Sequence, residues 1–194
     1  DHRDLHSFPT RRSSDLLLDK LATQTIRYLT AQAAAGAQAL MVFDSWAGLL
    51  GPDTYARYAL PAVRKVLAGL APLGLPLIYF PNQGATLLDQ LRGLPLDVAG
   101  IDWRLPLSRA RAILGPEIAV QGNLDPAALM APTAELLHLT DRVLAEAGTA
   151  PGHIFNLGHG IEPVTEPDQV ARLVDHVHER TARGTLSSGS GGRP

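Results

Sequence analysis

Polar side chains that could take part in catalysis or binding follow several apolar runs of this chain. Asp44 and Ser45 follow one run, Asp102 ends another, and His159 lies between glycines in Asn156-Leu157-Gly158-His159-Gly160. An imidazole can take up or donate a proton near neutral pH, and flanking glycines let a ligand approach the backbone closely. We therefore interpret His159 as a donor or proton-handling group, with a histidine that fixes a loop as the alternative.

The other polar residues at strand ends are weaker candidates for catalysis or binding. Ser45 could bind a substrate or cap the next turn, and its position leaves both interpretations open. Asp44 and Asp102 could be general acids or bases, but an aspartate beside tryptophan at a strand end often accepts from backbone N–H groups. Structural roles are therefore favoured for both. Asp125, which precedes Pro126, is expected to cap a helix.

Metal and nucleophile chemistry have little support in the sequence. The chain has no cysteine and no H-E-x-x-H motif, and His176 and His178 are two residues apart on a predicted helix, so they do not share a face. We interpret both as surface histidines and predict no metal site. Ser45 also lacks the G-x-S-x-G elbow of a catalytic serine.

The elements that must position these residues alternate between two kinds. Nearly continuous apolar runs predict β-strands covered on both faces. The predicted strands are Ala39–Asp44, Pro76–Pro81, Val98–Trp103, Ile118–Asn123 and His153–Gly158. Helical periodicity is found at Leu17–Ala35, at Thr133–Ala147 before Gly148, and after Thr165 as a predicted N-cap. This alternation predicts a parallel α/β sheet with its polar strand ends at one mouth.

Two architectures fit such an alternation, an open doubly wound sheet and a (β/α)8 barrel. No G-x-G-x-x-G follows the first strand and no P-loop motif occurs, so the usual nucleotide sites of open sheets are absent from the sequence. Five strands cannot close an eight-stranded barrel, which typically needs ~250 residues. The sequence therefore favours a partial (β/α)8 TIM barrel whose N-terminal strands are missing.

Composition divides the chain into three parts. Residues 1–15 are charged and serine-rich and are interpreted as a non-native or disordered leader, whereas residues 184–194 have the Gly/Ser composition of a flexible tail. Residues 16–183 would form the barrel portion. The whole chain of 194 residues is 45% hydrophobic and 19% charged, as expected of a globular protein with a substantial core.

Charge and hydropathy narrow the range of partners. The formal net charge is −2 and the basic residues are scattered, which argues against nucleic acid and anionic membranes as partners. No apolar run approaches the ~20 residues that span a bilayer. The absence of cysteine fits a reducing compartment, so a cytoplasmic location is expected.

Taken together, the motifs resemble the uroporphyrinogen decarboxylase family. The resemblance is carried by Leu16-Leu17-Leu18-Asp19-Lys20, the segment Ala35–Leu40, FDSWAG, Gly100–Trp103, Gln121–Pro126 and NLGHG. It implies a single-domain (β/α)8 barrel, a homodimer as is usual in this family, and a carboxy-lyase of haem and porphyrin biosynthesis. Such a lyase removes carbon dioxide from four acetate arms of uroporphyrinogen III to give coproporphyrinogen III, with no metal or prosthetic group. The resemblance assigns substrate contacts to Ser45 and His159.

The chain also departs from the pattern that the resemblance implies. The family's arginine-bearing loop, its pyrrole-binding aspartate and its substrate tyrosine precede everything matched from Leu16 onward, so no catalytic residue is assignable. Arg3, Arg11 and Arg12 match no family motif, and Asn82-Gln83-Gly84 stands where many members carry a lysine near the glycine. We therefore expect an N-terminally truncated and inactive portion of such an enzyme.

Two alternatives stay open. One is a zinc-dependent methyltransferase of the same superfamily, against which the absence of cysteine argues because such enzymes typically use a zinc-bound thiolate acceptor. The other is a non-catalytic partial barrel that persists through self-association, because an open parallel sheet exposes strand edges and apolar surface.

Overall fold

A parallel β-sheet forms the centre of the chain in the computed structural model, which describes residues 11–149 and 151–182. Its five strands are β1 Leu40–Asp44, β2 Leu77–Pro81, β3 Val98–Gly100, β4 Ala119–Leu124 and β5 His153–Leu157. All five predicted strands are confirmed, with each end at most three residues from the prediction. Residues 1–10 of the predicted leader and the predicted tail lie outside the described residues.

Strand order distinguishes the two candidate architectures. The order across the sheet is β1-β2-β3-β4-β5, and every strand pairs in parallel with the next one along the chain. A doubly wound sheet reverses direction at a switch point, whereas a barrel adds each strand on the same side. The strand order therefore confirms an α/β fold with barrel connectivity.

The third strand is shorter than predicted, ending at Gly100 and not at Trp103. Ile101 still donates its N–H to the Gln121 carbonyl at 2.8 Å. The chain then turns away, because the Asp102 carboxylate accepts the backbone N–H of Arg104 at 2.8 Å. A side chain thus supplies the acceptor that a neighbouring strand would otherwise provide.

Helices pack along one face of the sheet. The α-helices are α1 Arg11–Ala34, α2 Pro52–Thr54, α3 Leu60–Leu70, α4 Leu107–Leu114, α5 Thr133–Ala147 and α6 Pro167–Thr181, and a π-helical turn at Tyr55–Ala59 joins α2 to α3. Among the described residues, no helix has both the length and the apolar character needed to cross a membrane.

The first helix starts earlier than the sequence predicted. It begins at Arg11 and not at Leu17, so it includes residues 11–15, which had been assigned to the leader. Once a helix is nucleated, each added residue gains a backbone hydrogen bond, and arginine is a good helix former. The buried side chains of this helix are Ala22 and Leu29, whereas Leu17, Leu21 and Tyr28 are more than half exposed.

Some of the predicted helix ends agree with the structure and one does not. α5 has the predicted bounds, and Gly148 at its C-cap has φ 69°. Asp125 accepts the N–H of Ala127 at 2.9 Å, which confirms the cap, although the turn it opens at Pro126–Met130 is a short 3-10 helix. The predicted Thr165 cap is wrong. Pro167 takes the first position of α6, so Glu166 is the N-cap residue.

The two faces of the sheet differ in burial. The core between sheet and helices includes the fully buried side chains of Leu67, Tyr79 and Val120. On the opposite, concave face, Phe43 of β1 is 64% exposed and Ile154 of β5 is 44% exposed. The prediction of strands covered on both faces therefore holds for the central strands and is wrong for β1 and β5.

The buried core predicts a large effect of truncating Leu67, which lies on α3 with no exposed surface. We expect Leu67→Ala to lower the free energy of unfolding by ~2–5 kcal/mol, because it leaves a cavity among well-packed neighbours. Urea denaturation followed by circular dichroism measures the loss. The matched variant Leu49→Ala, at an exposed position, should change stability by less than ~0.5 kcal/mol. Equal losses for the two variants would contradict this description of the core.

Candidate active site

The carboxyl ends of the strands border a cleft on the concave face. Its volume is about 310 Å³. It is lined by Met41, Phe43, Phe80, Ile101, Gln121, Asn156, Leu157, His159, Gly160 and Ile161. The rings of Phe43 and Phe80 meet edge to face with centroids 5.4 Å apart. The cleft is therefore largely apolar, with two amides and one imidazole as its polar groups, as is typical of small-molecule sites.

His159 reaches this cleft through a tight approach between two strand ends. A Cβ on Gly158 would lie 2.5 Å from the Trp103 backbone nitrogen, so only glycine fits there. This contact brings the segment after β5 against the segment after β3. The imidazole of His159 then lies with its ring centroid 6.5 Å from that of Trp103, edge to face. The imidazole is solvent-exposed and can meet a ligand.

Ser45 also lies at the carboxyl ends of the strands, directly after β1. Its carbonyl accepts from Nδ2 of Asn82 at 3.2 Å, and the Asn82 N–H donates to the Asp44 carbonyl at 3.0 Å. The N–H of Gly48 donates to the Asn82 carbonyl at 3.0 Å. Buried Asn82 thus fixes the turn that carries exposed Ser45. Ser45 does not line the His159 cleft, although Phe43, two residues earlier, does.

Asp44 does not point toward the mouth, contrary to the expectation that all polar strand ends would. Side chains alternate along a strand, so Phe43 faces the cleft and Asp44 faces the helices. Oδ2 of Asp44 accepts the hydroxyl of Tyr79 at 2.9 Å, and the Tyr79 and Tyr55 hydroxyl oxygens are 2.8 Å apart. Asp44 therefore has the structural role that the sequence favoured.

The two tyrosines of this chain of hydrogen bonds are fully buried. Burial raises the pKa of Tyr55 to about 12. Burial also raises the pKa of Tyr79 far above its usual value, and the adjacent Tyr55 hydroxyl and Asp44 carboxylate add to the effect. Both phenols are consequently neutral at ordinary pH and act as hydrogen-bonding groups between the π-helical turn before α3 and the end of β1.

Asp102 also has a structural role. It is only 4% exposed, and its carboxylate accepts the Arg104 N–H. Nδ2 of Asn123, at the end of β4, donates to the carbonyls of Asp102 at 3.0 Å and Leu105 at 2.6 Å. The segment after β3 is therefore fixed from both sides. It presents Trp103 with the Arg104 guanidinium carbon 3.9 Å from the centre of the indole.

His176 is not the free surface histidine that the sequence suggested. Its Nε2 lies 2.9 Å from Oδ1 of Asp141, which also accepts from Nε of Arg180 at 3.0 Å, so the group joins α5 to α6. The hydrogen bond from His176 holds the pKa of the Asp141 carboxyl below its usual value. His178 is exposed, as expected. Across residues 11–149 and 151–182, no cluster of three or more His, Cys, Asp or Glu is placed to hold a metal ion.

Sequence reasoning assigned no role at the rim to three of its residues. Asn82 directly follows β2, and Trp103 and Arg104 follow the end of β3. The adjacency of a tryptophan and an arginine beside a strand end could have indicated a stacked cation. The role of Asn82 depends on a backbone turn in another segment, which no local pattern reveals.

Comparison with known proteins identifies the family of the chain. The family model described as Uroporphyrinogen decarboxylase (URO-D) matches residues 8–180. The chain belongs to this family. The proteins named uroporphyrinogen decarboxylase in Streptomyces griseus and Syntrophotalea carbinolica are 48% and 49% identical to it, over 86% and 85% of this chain. The alignments cover 46% and 48% of those two proteins, so the chain spans about half the length of the curated relatives it matches.

Two solved structures share the fold. A methyltransferase from Methanosarcina mazei superposes with a TM-score of 0.77 at 19% identity, covering 90% of this chain and 52% of that one. A putative vitamin-B12 independent methionine synthase from Listeria monocytogenes gives a TM-score of 0.62 at 15% identity, covering 84% and 53%. At these identities the likeness extends to the fold alone.

The buried tyrosine pair predicts a specific loss of stability. Tyr79→Phe removes the hydroxyl between Tyr55 and Asp44 and leaves both without that partner. We expect the free energy of unfolding to fall by ~1–3 kcal/mol, the usual penalty for a buried polar group left unsatisfied. Urea denaturation measures it. Tyr28→Phe, at an exposed position of α1, is the matched control and should stay within ~0.5 kcal/mol. An unchanged midpoint for Tyr79→Phe would show that this hydroxyl contributes nothing.

His153, at the start of β5, predicts a pH dependence. Its Nε2–H donates to the Gly122 carbonyl at 2.7 Å, and burial lowers its pKa below the ordinary 6.5. Because the folded state prefers neutral His153, the stability it contributes is present above the unfolded pKa and is lost as pH falls below that value. We expect His153→Gln to lose less stability than the wild type between pH ~8 and ~5. His138→Gln, at an exposed position, should show the pH dependence of the wild type. Identical pH profiles for all three proteins would show that protonation of His153 does not affect stability.

Proposed function

We propose that this chain is part of a uroporphyrinogen decarboxylase, a carboxy-lyase that converts uroporphyrinogen III to coproporphyrinogen III in haem biosynthesis. The observation that carries the proposal is the position of His159, which lies within the family match and lines the cleft at the carboxyl ends of the strands. The names of the matched relatives support the same reaction.

The chemistry of the cleft suits such a substrate. Loss of carbon dioxide from an acetate arm breaks a carbon–carbon bond, and the electron pair left behind needs a sink. A protonated pyrrole ring of the substrate can supply this sink itself, so we propose that no metal or prosthetic group takes part. The apolar walls formed by Phe43 and Phe80 suit the flat pyrrole rings and exclude water from the reacting arm.

We assign substrate contacts to Ser45 and His159. A proton must replace the lost carboxyl group at the carbon, and the exposed imidazole of His159 can donate to the substrate at the cleft. Ser45 follows β1, which is the edge strand opposite β5, and its hydroxyl can donate to another carboxylate arm there. Asn82 supports this role by holding the turn in place through the Ser45 and Asp44 carbonyls.

We further propose that turnover requires residues outside this chain and that the complete enzyme is a cytoplasmic homodimer. The share of each relative that the chain covers supports the first point. The resemblance to the family supports the dimer, and the cysteine-free composition fits a reducing compartment.

The test is a decarboxylation assay on this chain and on the full-length protein that contains it, with the products oxidised to porphyrins and separated by chromatography. We expect coproporphyrinogen III from the full-length protein and none from the chain alone. In the full-length protein, His159→Asn should lower kcat/KM by ~10²-fold or more, whereas His138→Asn, on the outer helix α5, should leave it unchanged.

Each comparison in this assay can contradict one part of the proposal. No turnover by the full-length protein would refute the proposed reaction, and substantial turnover by the chain alone would refute its inactivity. Full activity of His159→Asn would remove His159 from the site.

A non-catalytic, self-associating half-barrel is the second candidate, and one observation favours it. Phe43, Trp46 and Leu49 at the β1 edge are large apolar side chains with most of their surface exposed. Exposed apolar patches of this kind favour association. Sedimentation velocity on the chain should then show dimers or larger species, and a monodisperse monomer with a cooperative melt would exclude this candidate.

A further inference from the structure

The segment after β3 presents a cation whose hydrogen-bonding capacity is unused. The Arg104 side chain is 45% exposed, and its Nη1 lies 3.6 Å from Oδ2 of Asp102, beyond hydrogen-bond distance. No described residue accepts a hydrogen bond from its guanidinium. The pair joins a half-exposed guanidinium to a buried carboxylate, and at 3.6 Å it leaves the N–H groups of the guanidinium available to a ligand.

The guanidinium is nevertheless held in place. It stacks on the face of the Trp103 indole at 3.9 Å, and its backbone N–H is bonded to Asp102, which is itself fixed by Asn123. A stacked guanidinium loses little further freedom when it binds, because its plane is already fixed. The residue is preorganised to present its N–H groups to a planar anion such as a carboxylate.

The same indole connects this cation to the cleft. Trp103 contacts Arg104 through its ring face and meets the His159 imidazole edge to face, with centroids 6.5 Å apart. The close approach of Gly158 to the Trp103 nitrogen fixes this arrangement. Arg104 and His159, although 55 positions apart in the sequence, therefore belong to one cluster at the rim.

We propose that Arg104 binds a carboxylate arm of the substrate at the rim of the His159 cleft, with Trp103 as its positioning residue. The inference rests on the proposed function, because it needs an anionic substrate with several carboxylate arms. The guanidinium, which shares the Trp103 indole with the proton-donating histidine, holds one arm by a charge-assisted hydrogen bond while a neighbouring arm reacts. Arg104 thus favours substrates rich in carboxylates over those that have lost them.

The test is binding of uroporphyrin III, the oxidised and stable analogue of the substrate, to this chain, followed by the fluorescence anisotropy of the porphyrin. We expect Arg104→Gln to weaken binding by roughly ten-fold or more, as for loss of a hydrogen bond to a charged group. Arg104→Lys should be intermediate, because it keeps the charge and loses the planar stacked fork. Arg109→Gln, an exposed arginine on α4, is the matched control and should bind like the wild type.

Two further readouts separate binding from folding. The dependence of the dissociation constant on salt should weaken in Arg104→Gln, because one screened charge contact is gone, and coproporphyrin III should be affected less than uroporphyrin III. Urea midpoints of the variants should match the wild type. A merely structural role would move the midpoint and leave the salt dependence and the preference between the two porphyrins unchanged, which would overturn the proposal.

The outcome distinguishes this inference from the proposed function. Tight uroporphyrin binding that is equal in the wild type and Arg104→Gln would overturn the inference and leave the decarboxylase proposal intact. No binding by the wild-type chain would also overturn it, and the turnover assay on the full-length protein would still decide the proposed function separately.

Discussion

Parallel pairing of each strand with the next one along the chain is the constraint on which the structure depends. Because all five strands run in the same direction and in sequential order, their carboxyl ends lie along one edge. Every residue with a proposed role in binding follows a strand at that edge. Helices α1 and α3 to α6 bury the outer face, and the alternation of side chains along each strand then decides which residues face the cleft and which enter the core.

The turns at this edge are fixed by side chains that take no part in chemistry. Asn82 holds the turn after β1, and Asn123 and Asp102 hold the segment after β3. The buried Tyr55–Tyr79–Asp44 hydrogen bonds attach the end of β1 to the helical layer. These hydrogen bonds from buried side chains together limit the conformations of the rim, although Oδ1 of Asn82 is buried without a partner among the described residues. Ser45, His159 and Arg104 stay exposed on this rigid support.

The sequence was sufficient for the periodic features and insufficient for those set by tertiary contacts. Apolar runs located all five strands, and α5 was predicted to the residue because its periodicity and Gly148 agree. The direction of Asp44 was mispredicted because strand alternation, and not strand-end position alone, sets it. The role of Asn82 could not be predicted, since it depends on a turn in another segment. Arg104 stacks on its sequence neighbour Trp103, but the placement of both beside the segment of His159 is set only by folding.

The central claim is that the two outer strands, β1 and β5, place Ser45 and His159 on one rim. Because the chain has no cysteine, a Ser45→Cys, His159→Cys double variant can be spin-labelled at those positions alone and the distance measured by double electron–electron resonance. Four interstrand spacings of ~4.8 Å span about 20 Å, so we predict one narrow population below roughly 30 Å between the labels. A broad distribution centred well beyond that range would show that the strand ends do not share a rim.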